Sequence, residues 1–279
     1  MLNIGNWEVV GWEHAIRGMR NPMNSWEKSD SNMCGYHLQN VEIAPGVTSL
    51  EWRQCKPYID LGENDHDLMM KLRNADTDHR KFMRMITVYL DITAPLYWWK
   101  EFDTYKVGTV ANSCSTMHKI HAKAFTLKDF SCEHLIDYVN DGVELPSEHE
   151  PGIELFSAVD ILNTTIIALN TYRKRYLEAK TKPMKDETKR AEVMKKYWWQ
   201  MIQLLPSSYN QKRTVMLNYE VLANMYKSRR NHKLDEWHTL CDWIEKLPYS
   251  ELITGASLED IPICKEIMNE AKRRAKEDE

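Results

Sequence analysis

The stretch MITVYLDITAPLYWWKEFDTYKVGTVANSCSTM, residues 85–117, changes character twice along its length. Between residues 85 and 92, β-branched and aromatic residues alternate in a pattern that predicts a strand. The pair Ala94-Pro95 ends that strand, because proline has no amide hydrogen to donate to a ladder. The following LYWWKEFDTYK has its apolar residues at helical spacing and predicts a helix. The polar residues after the tryptophan pair are therefore either the solvated face of a helix or the lining of a site.

The rest of the chain predicts helices more often than strands. Residues 6–13 are strand-like and residues 14–20 predict a short helix. Further helices are predicted over residues 65–73, 151–180, 191–205, 214–230 and 234–247, with a break at Pro183, and a charged C-terminal helix over 259–279. No internal repeat or linker divides these segments. We therefore predict a single α+β domain that covers residues 1–279.

Composition excludes several classes of protein. A formal net charge of -4 gives no basic field, so general nucleic-acid binding is not expected. No run of 18 apolar residues and no apolar segment typical of a signal peptide occurs, which predicts neither a membrane span nor export. The six cysteines form no CxxC pair, so reduced thiols and a cytoplasmic location are expected.

Cysteine and histidine lie close together just after residue 113. His118 and His121 stand three apart, which on a helix would put both imidazoles on one face; a surface histidine pair is the simpler interpretation. The stretch offers no third ligand, so no metal site is predicted. Cys114 and His118 stand four apart, and on one helical turn they would support a thiolate nucleophile. The commoner role of an isolated cysteine is that of a small buried apolar side chain.

Two further features also allow a plain structural interpretation. The basic residues between 227 and 233 would suit a phosphate, or would form a solvated helix end. The pairs Trp98-Trp99 and Trp198-Trp199 are most simply core, although an aromatic wall can stack a flat ring. Composition and spacing leave the function open.

Two separated segments resemble the flavin-dependent thymidylate synthases, the ThyX family. In the first, His79 precedes the strand MITVYLDI and the pair Ala94-Pro95, and TYKVGTVANSCSTM stands in the place of the family signature RHRxxSxNExSxRY. In the second, LPSSYNQKRTVMLNYEVLANMYKSR, residues 205–229, is similar to the family's LP…TxNxRSLxNFLxLR. NTYRKRYLEA before it also resembles the family's long central helix. Both segments align with the family pattern without a gap. Together with the central helix, the family-like sequence covers residues 79–117 and 150–245.

The resemblance implies a helix-rich ThyX-like fold with a central antiparallel sheet. It also implies a homotetramer with inter-subunit sites that binds FAD and uses NADPH and methylenetetrahydrofolate to methylate dUMP reductively. The cofactor-binding positions are His79, Lys81, Tyr105, Lys106, Asn218 and Asn224. The substrate-binding positions are Glu101, Thr104, Asn112, Cys114 and Arg229. Cys114 and Tyr105 are the catalytic candidates.

Several positions depart from the family pattern. The RHR of the signature is Thr104-Tyr105-Lys106, and the flavin-phosphate arginine is Glu220. A further arginine that binds the nucleotide phosphate is Ile202. Arginine offers a two-pronged donor to phosphate that lysine, as a point charge, does not reproduce. Three hypotheses follow: a divergent flavoenzyme acting on a pyrimidine nucleotide, a ThyX-fold protein that only binds a nucleotide or other small ligand, and a scaffold that serves protein interaction.

Overall fold

The computed structural model describes residues 2–44, 47–138, 141–146, 153–183 and 186–255, with the backbone alone for residues 34–44, 47–58, 145–146 and 153–154. The predicted C-terminal helix over 259–279 lies outside the described residues. The chain divides into two compact units. Unit 1 comprises Met1–Asn3, Ile92–Thr104 and Asn112–Thr214, and unit 2 comprises Ile4–Asp91, Tyr105–Ala111 and Val215–Glu279. The extent of the domain over 1–279 stays a prediction.

Strands and helices alternate irregularly along the chain. The strands are β1 Asn3–Val10, β2 Asn32–Ala44, β3 Val47–Asp60, β4 Thr87–Pro95, β5 Val110–Ser113, β6 Val143–Pro146, β7 Ile153–Phe156 and β8 Asn210–Asn218. The helices are α1 Trp12–Arg20, α2 Glu63–Asn74, α3 Leu96–Phe102, α4 Ala158–Thr181, α5 Glu187–Leu204, α6 Tyr219–Arg229, α7 Asp235–Ile244 and α8 Glu251–Thr254.

The principal sheet is antiparallel and has the strand order β1-β4-β8-β5. β2 and β3 form a separate antiparallel hairpin in which Asn32 lies opposite Asp60, and β6 pairs with β7. More residues lie in helices than in strands, and the predicted α+β class with an antiparallel central sheet is confirmed.

The strand predicted over residues 85–92 is present as β4, and the helix predicted over residues 96–106 begins as expected but ends at Phe102. β4 ends at Pro95, and α3 begins at the next residue, so the proline occupies the last strand position as its missing donor requires. Trp98 and Trp99 are buried in unit 1, and Trp99 Nε1 donates to the carbonyl oxygen of Gln211 at 3.0 Å. The core interpretation of this pair is therefore correct. Trp199, by contrast, is 41% exposed.

Two predicted helices begin later than expected. Residues 153–156 form β7, and α4 begins only after Ser157, whose Oγ accepts a hydrogen bond from the Asp160 amide while Asp160 accepts one from the Ser157 amide. This capping box satisfies amides that the first helical turn leaves unpaired, and so it fixes the helix start. Residues 214–218 belong to β8 rather than to a helix. The hairpin of β2 and β3 was not predicted at all.

A tight turn ends β1 before the predicted strand is complete. Gly11 has φ of +92°, a left-handed conformation, and a Cβ there would lie 2.1 Å from the carbonyl oxygen of Met85. Only glycine permits both the backbone angle and this close approach. The strand therefore stops at Val10, and α1 begins at Trp12.

In unit 2, α2 and α8 are joined by a titratable contact, the 2.8 Å interaction of His66 Nε2 with Glu251 Oε1. The hydrogen bond to Glu251 raises the pKa of His66 above its usual value of 6.5, and the charge of Asp67 acts in the same direction. A raised histidine pKa stabilises the folded state fully below the unfolded pKa, and this contribution is lost as the pH rises through the folded pKa.

His66→Gln is therefore expected to cost about 1 kcal/mol of unfolding free energy at pH 5.5 and clearly less at pH 8.5, because glutamine keeps a hydrogen-bond donor but no charge. Urea unfolding of both proteins at the two pH values measures this. An equal difference at both values would show that the contact does not titrate.

Candidate functional site

A fixed arginine lies at the end of α6 in unit 2. Arg229 Nε donates to the hydroxyl of Tyr105 at 3.0 Å. The guanidinium carbon lies 4.8 Å from the ring centroid of Trp237 and 5.7 Å from that of Tyr105. A cation over aromatic faces is attracted by the ring quadrupole, so the two rings restrict where this guanidinium can point. We call Arg229, Tyr105 and Trp237 the arginine clamp.

Two members of the clamp were predicted as site residues, and the third was not. Tyr105 and Arg229 were assigned from the resemblance, and the structure brings them into contact. Trp237 was predicted only as part of an amphipathic helix, and it is fully buried on α7. No local pattern distinguishes a core tryptophan from one whose face carries an arginine.

Asn218 lies where β8 turns into α6. Its Oδ1 accepts a hydrogen bond from the amide of Val221 at 3.0 Å and so caps the helix. Gly108, with φ of +77°, approaches the same corner, and a Cβ on it would lie 2.9 Å from Asn218 Nδ2. The segment after Tyr105 therefore packs closely against the start of α6, and part of the hydrogen-bonding capacity of Asn218 serves the fold.

Glu220, in the first turn of α6, is paired with Arg84. Arg84 Nη2 donates to Glu220 Oε1 at 3.1 Å, and Arg84 Nε also donates to Oε2. The hydrogen bond to this carboxylate raises the pKa of Arg84. Glu220 is thus a compensated carboxylate at the position where the resemblance places an arginine for the flavin phosphate. The ion pair with Arg84 avoids the free-energy cost of an unpaired carboxylate, but Glu220 offers no positive charge to a phosphate.

The other predicted cofactor residues of unit 2 are exposed side chains. They are His79, Lys81, Lys106 and Asn224. His79 and Lys81 lie in the 3₁₀ turn His79–Arg84, and Asn224 lies midway along α6. These four are accessible to a ligand, whereas Tyr105, Asn218 and Arg229 are half-buried.

Unit 1 contains the remaining predicted residues. Thr104 Oγ1 donates to the carbonyl oxygen of Glu101 at 2.7 Å, a local bond that satisfies a carbonyl at the end of α3. Asn112 is exposed in β5. Cys114 is an exposed free thiol that follows this strand.

The backbone of Cys114 is fixed on both sides. Its amide donates to the carbonyl oxygen of Lys212 at 2.9 Å, and its carbonyl oxygen accepts a hydrogen bond from Gln211 Nε2 at 2.8 Å. Gln211 is buried, and its Oε1 accepts a bond from Arg213 Nε at 3.0 Å. Arg213 is held in turn by Asp103 at 2.7 Å and lies 4.2 Å from the Trp99 ring centroid.

The two histidine hypotheses assumed a helix that the structure does not contain. Residues 116–118 form a turn in which the amides of Met117 and His118 both donate to Ser115 Oγ. Cys114 and His118 are therefore not successive residues on one helical face, and neither are His118 and His121. The ring of His121 instead packs on Tyr176 with centroids 4.6 Å apart. Within the described ranges no group of three potential metal-binding side chains occurs.

Two residues of the basic run between 227 and 233 are held in structural contacts. Arg230 binds Asp242 at 2.7 Å and Glu245 at 3.2 Å. His232 Nδ1 accepts a hydrogen bond from the Leu234 amide. These two residues therefore fit the interpretation of the run as a solvated helix end. Arg229 differs, because its guanidinium lies over aromatic rings.

Comparison with known proteins identifies the fold. No protein-family model and no curated protein sequence matches the chain. The chain is similar to a crystal structure of thymidylate synthase X (ThyX) from Helicobacter pylori with FAD and dUMP, with a TM-score of 0.52 and 13% identity over 91% of this chain and 98% of that one. A second H. pylori ThyX structure, also complexed with FAD and dUMP, gives a TM-score of 0.51 and 14% identity over 89% and 96%. The ThyX-like fold predicted from the two segments is confirmed. Across the described residues, no helix is long and apolar enough to cross a membrane.

Proposed function

We propose that this chain, built on the ThyX fold, binds a pyrimidine deoxynucleotide such as dUMP and modifies it. The arginine clamp is the observation that carries the proposal. Arg229 is the residue to which the resemblance assigns a nucleotide contact, and it is held in one place by Tyr105 and Trp237. The two similar structures, which contain dUMP, support the choice of ligand.

The clamp prepares the guanidinium for binding. The Nε hydrogen points at the Tyr105 hydroxyl, so the terminal nitrogens are oriented by that bond and by the rings. A guanidinium fixed in this way loses less entropy when it donates to a phosphate or a pyrimidine carbonyl oxygen. The resemblance also assigns Glu101, Thr104, Asn112 and Cys114, all of unit 1, to the substrate, and Cys114 and Tyr105 are the proposed catalytic residues.

The residues fit FAD only in part. Asn218 and Asn224 would offer amides to the edge of a flavin ring, with His79, Lys81, Tyr105 and Lys106 around it. FAD, when bound, supplies hydride transfer. At the flavin-phosphate position, however, Glu220 and Arg84 neutralise each other, and among the other assigned phosphate positions only Lys106 is basic. This phosphate-binding set does not fit FAD in the way the family binds it.

Reductive methylation is the reaction that the resemblance suggests. It would use FAD, NADPH and methylenetetrahydrofolate in a homotetramer. The Arg84–Glu220 pair favours a second candidate, a ThyX-fold protein that binds its nucleotide without methylating it. The two candidates share the nucleotide and differ in the need for a flavin.

A thermal-shift series with a flavin spectrum tests the proposal. We expect dUMP at about 100 times its Kd to stabilise the protein by about 2.7 kcal/mol, which shifts Tm by several degrees, because only the folded state binds it. Flavin absorbance and conversion of dUMP to dTMP with FAD, NADPH and methylenetetrahydrofolate would support methylation. Stabilisation by dUMP without flavin or turnover would support binding alone. If UMP, dUMP and dTMP all leave Tm unchanged, the proposed function is wrong.

A further inference from the structure

Three cations of unit 1 gather around the ring of His121. Lys119 stands two positions before this histidine, and Arg173 and Lys180 lie on α4. Arg173 and Lys180 are seven positions apart, which is two helical turns, so both side chains leave the same face of α4. We call Lys119, Arg173 and Lys180 the cationic cluster.

The effect of the cationic cluster on His121 shows that its charges lie close to this ring. Burial lowers the pKa of His121 below its usual 6.5, and all three charges of the cluster act in the same direction. The imidazole is therefore uncharged at neutral pH. Its Nδ1 is buried and has no hydrogen-bond partner among the described residues. An uncharged ring thus marks the place where three positive charges meet.

The cationic cluster has no counter-charge. Within the described ranges of the chain, none of its three members forms an ion pair. Two lysines of the same segments are paired, Lys123 with Asp129 and Lys174 with Glu178 at 4.0 Å. Cations that lie close together repel one another, and an anion placed among them removes this repulsion. The cluster therefore has the electrostatics of an anion site.

The backbone that carries Lys119 and His121 is fixed to α4. The amide of Ala122 donates to the carbonyl oxygen of Lys119 at 2.9 Å, which closes a turn. Asn170 of α4 then exchanges two hydrogen bonds with Phe125. Its Oδ1 accepts one from the Phe125 amide at 2.9 Å, and its Nδ2 donates one to the Phe125 carbonyl oxygen at 2.8 Å. The two parts of the cationic cluster are thus held together by the fold.

Arg173 is oriented before any ligand binds. Its Nε donates to the carbonyl oxygen of His121 at 2.9 Å, which fixes the guanidinium on the segment that carries Lys119. This is its only hydrogen bond within the described residues, so the terminal nitrogens have donors available. Tyr176 follows Arg173 on α4, and its ring packs against the His121 ring with centroids 4.6 Å apart. The guanidinium and the imidazole are therefore both held in place.

We propose that the cationic cluster binds the oligophosphate group of a small ligand. An oligophosphate concentrates several negative charges and many acceptor oxygens in a small volume, which matches one fixed guanidinium fork and two mobile ammonium groups. A single carboxylate would neutralise only one of the three cations. Because the three charges converge on one ring, they suit a compact anion better than an extended nucleic-acid strand.

This site goes beyond the proposed function. The cationic cluster includes none of the residues assigned to the flavin or to the pyrimidine nucleotide, and it requires neither ligand. Lys119 also lies outside the family-like sequence.

Isothermal titration calorimetry with inorganic tripolyphosphate, on the intact protein with and without dUMP, tests the proposal. We expect tripolyphosphate to bind with the same affinity in both cases, because dUMP is proposed to occupy the arginine clamp. The affinity should fall when NaCl is raised from about 50 to about 300 mM, since salt screens the exposed charges of the cluster.

The variant Lys119→Gln/Lys180→Gln should weaken tripolyphosphate binding about tenfold or more, because two of the three charges are lost. Both side chains are exposed, so the variant is expected to fold as wild type does. The matched control Lys100→Gln/Lys174→Gln removes two exposed lysines of unit 1 that lie outside the cluster, and it should bind as wild type does. Arg173→Lys keeps the charge and loses the fork, so its affinity should fall between these two.

The proposal is overturned if the two double variants bind tripolyphosphate alike, or if dUMP displaces this anion. Tighter binding of a short single-stranded oligodeoxythymidylate than of tripolyphosphate, lost in Lys119→Gln/Lys180→Gln, would also overturn it in favour of a nucleic-acid backbone. Binding of tripolyphosphate by a protein that does not bind dUMP would uphold the cationic cluster and reject the proposed function. The two failures are therefore distinguishable.

Discussion

Asp65→Ala is expected to lower the free energy of unfolding by about 3–5 kcal/mol, the largest stability effect anticipated for a single substitution in this chain. Asp65 is fully buried, and its Oδ1 accepts a hydrogen bond from Arg20 Nε at 2.6 Å. Arg20 is 4% exposed. Removing the carboxylate would leave a buried guanidinium without its counter-charge.

The same carboxylate organises the loop before β2. Its Oδ2 accepts hydrogen bonds from the hydroxyls of Ser29 and Ser31, both at 2.7 Å, and from the amides of Asp30 and Ser31. Arg20 donates further to the carbonyl oxygens of Ser25 and Lys28. These bonds connect α1, the loop and α2 within unit 2, so several buried polar groups would lose partners at once.

Guanidinium chloride unfolding, followed by tryptophan fluorescence, measures the effect. Asp67→Ala is the matched control, because it removes an exposed carboxylate from the same helix and should cost less than about 0.5 kcal/mol. Asp65→Asn keeps the shape and loses the charge, so it should fall between the two. Equal midpoints for Asp65→Ala and Asp67→Ala would show that this network does not stabilise unit 2.

The pH dependence of this contribution follows from the same contacts. Burial alone would raise the pKa of Asp65, but the hydrogen bonds from Ser29, Ser31 and Arg20 together lower it below its usual 3.8. A depressed carboxylate pKa stabilises the folded state above the unfolded pKa, and the contribution is lost as the pH falls through the folded pKa. The difference between wild type and Asp65→Asn should therefore shrink only in strong acid.

Arg229→Gln is expected to weaken binding of dUMP by about 10- to 100-fold, the largest functional effect of a single substitution. Glutamine cannot replace the charge, and a hydrogen bond to a charged group contributes about 1.5–3 kcal/mol. Isothermal titration calorimetry with dUMP measures the change. Arg230→Gln is the control. This substitution also removes one positive charge, but from a neighbouring arginine whose guanidinium is bound to Asp242 and Glu245.

Tyr105→Phe separates positioning from charge. It keeps the ring beneath the guanidinium and removes the hydroxyl that accepts from Arg229 Nε. We expect a loss of affinity of about fivefold, because the charge of Arg229 remains and only the hydrogen bond that orients it is lost, a contribution of about 1 kcal/mol. If Arg229→Gln binds dUMP as wild type does, the nucleotide does not contact the arginine clamp, and the proposed site is wrong even where the fold is right.

The local amino-acid sequence predicted those helices and strands whose boundaries depend on one or two residues. Pro95 marks the end of β4 and the start of α3, because its ring removes a donor and restricts the preceding residue. Strands were predicted less well: β7 and the last part of β8 were predicted as helix. A strand gains its stability from a partner elsewhere in the chain, and a short apolar run does not show whether that partner exists.

The sequence by itself indicated the ThyX-like fold, since two short segments resemble that family in their order and spacing. It also determined which charges are present. Only the tertiary structure decided what those charges do: Glu220 meets Arg84 across 136 positions, and Arg229 meets Tyr105 across 124. Periodicity and proline act through neighbouring residues of the backbone, whereas the partner of a side chain is chosen by which surfaces pack together. For that reason the missing arginines are visible in the sequence, but the compensated carboxylate and the arginine clamp are not.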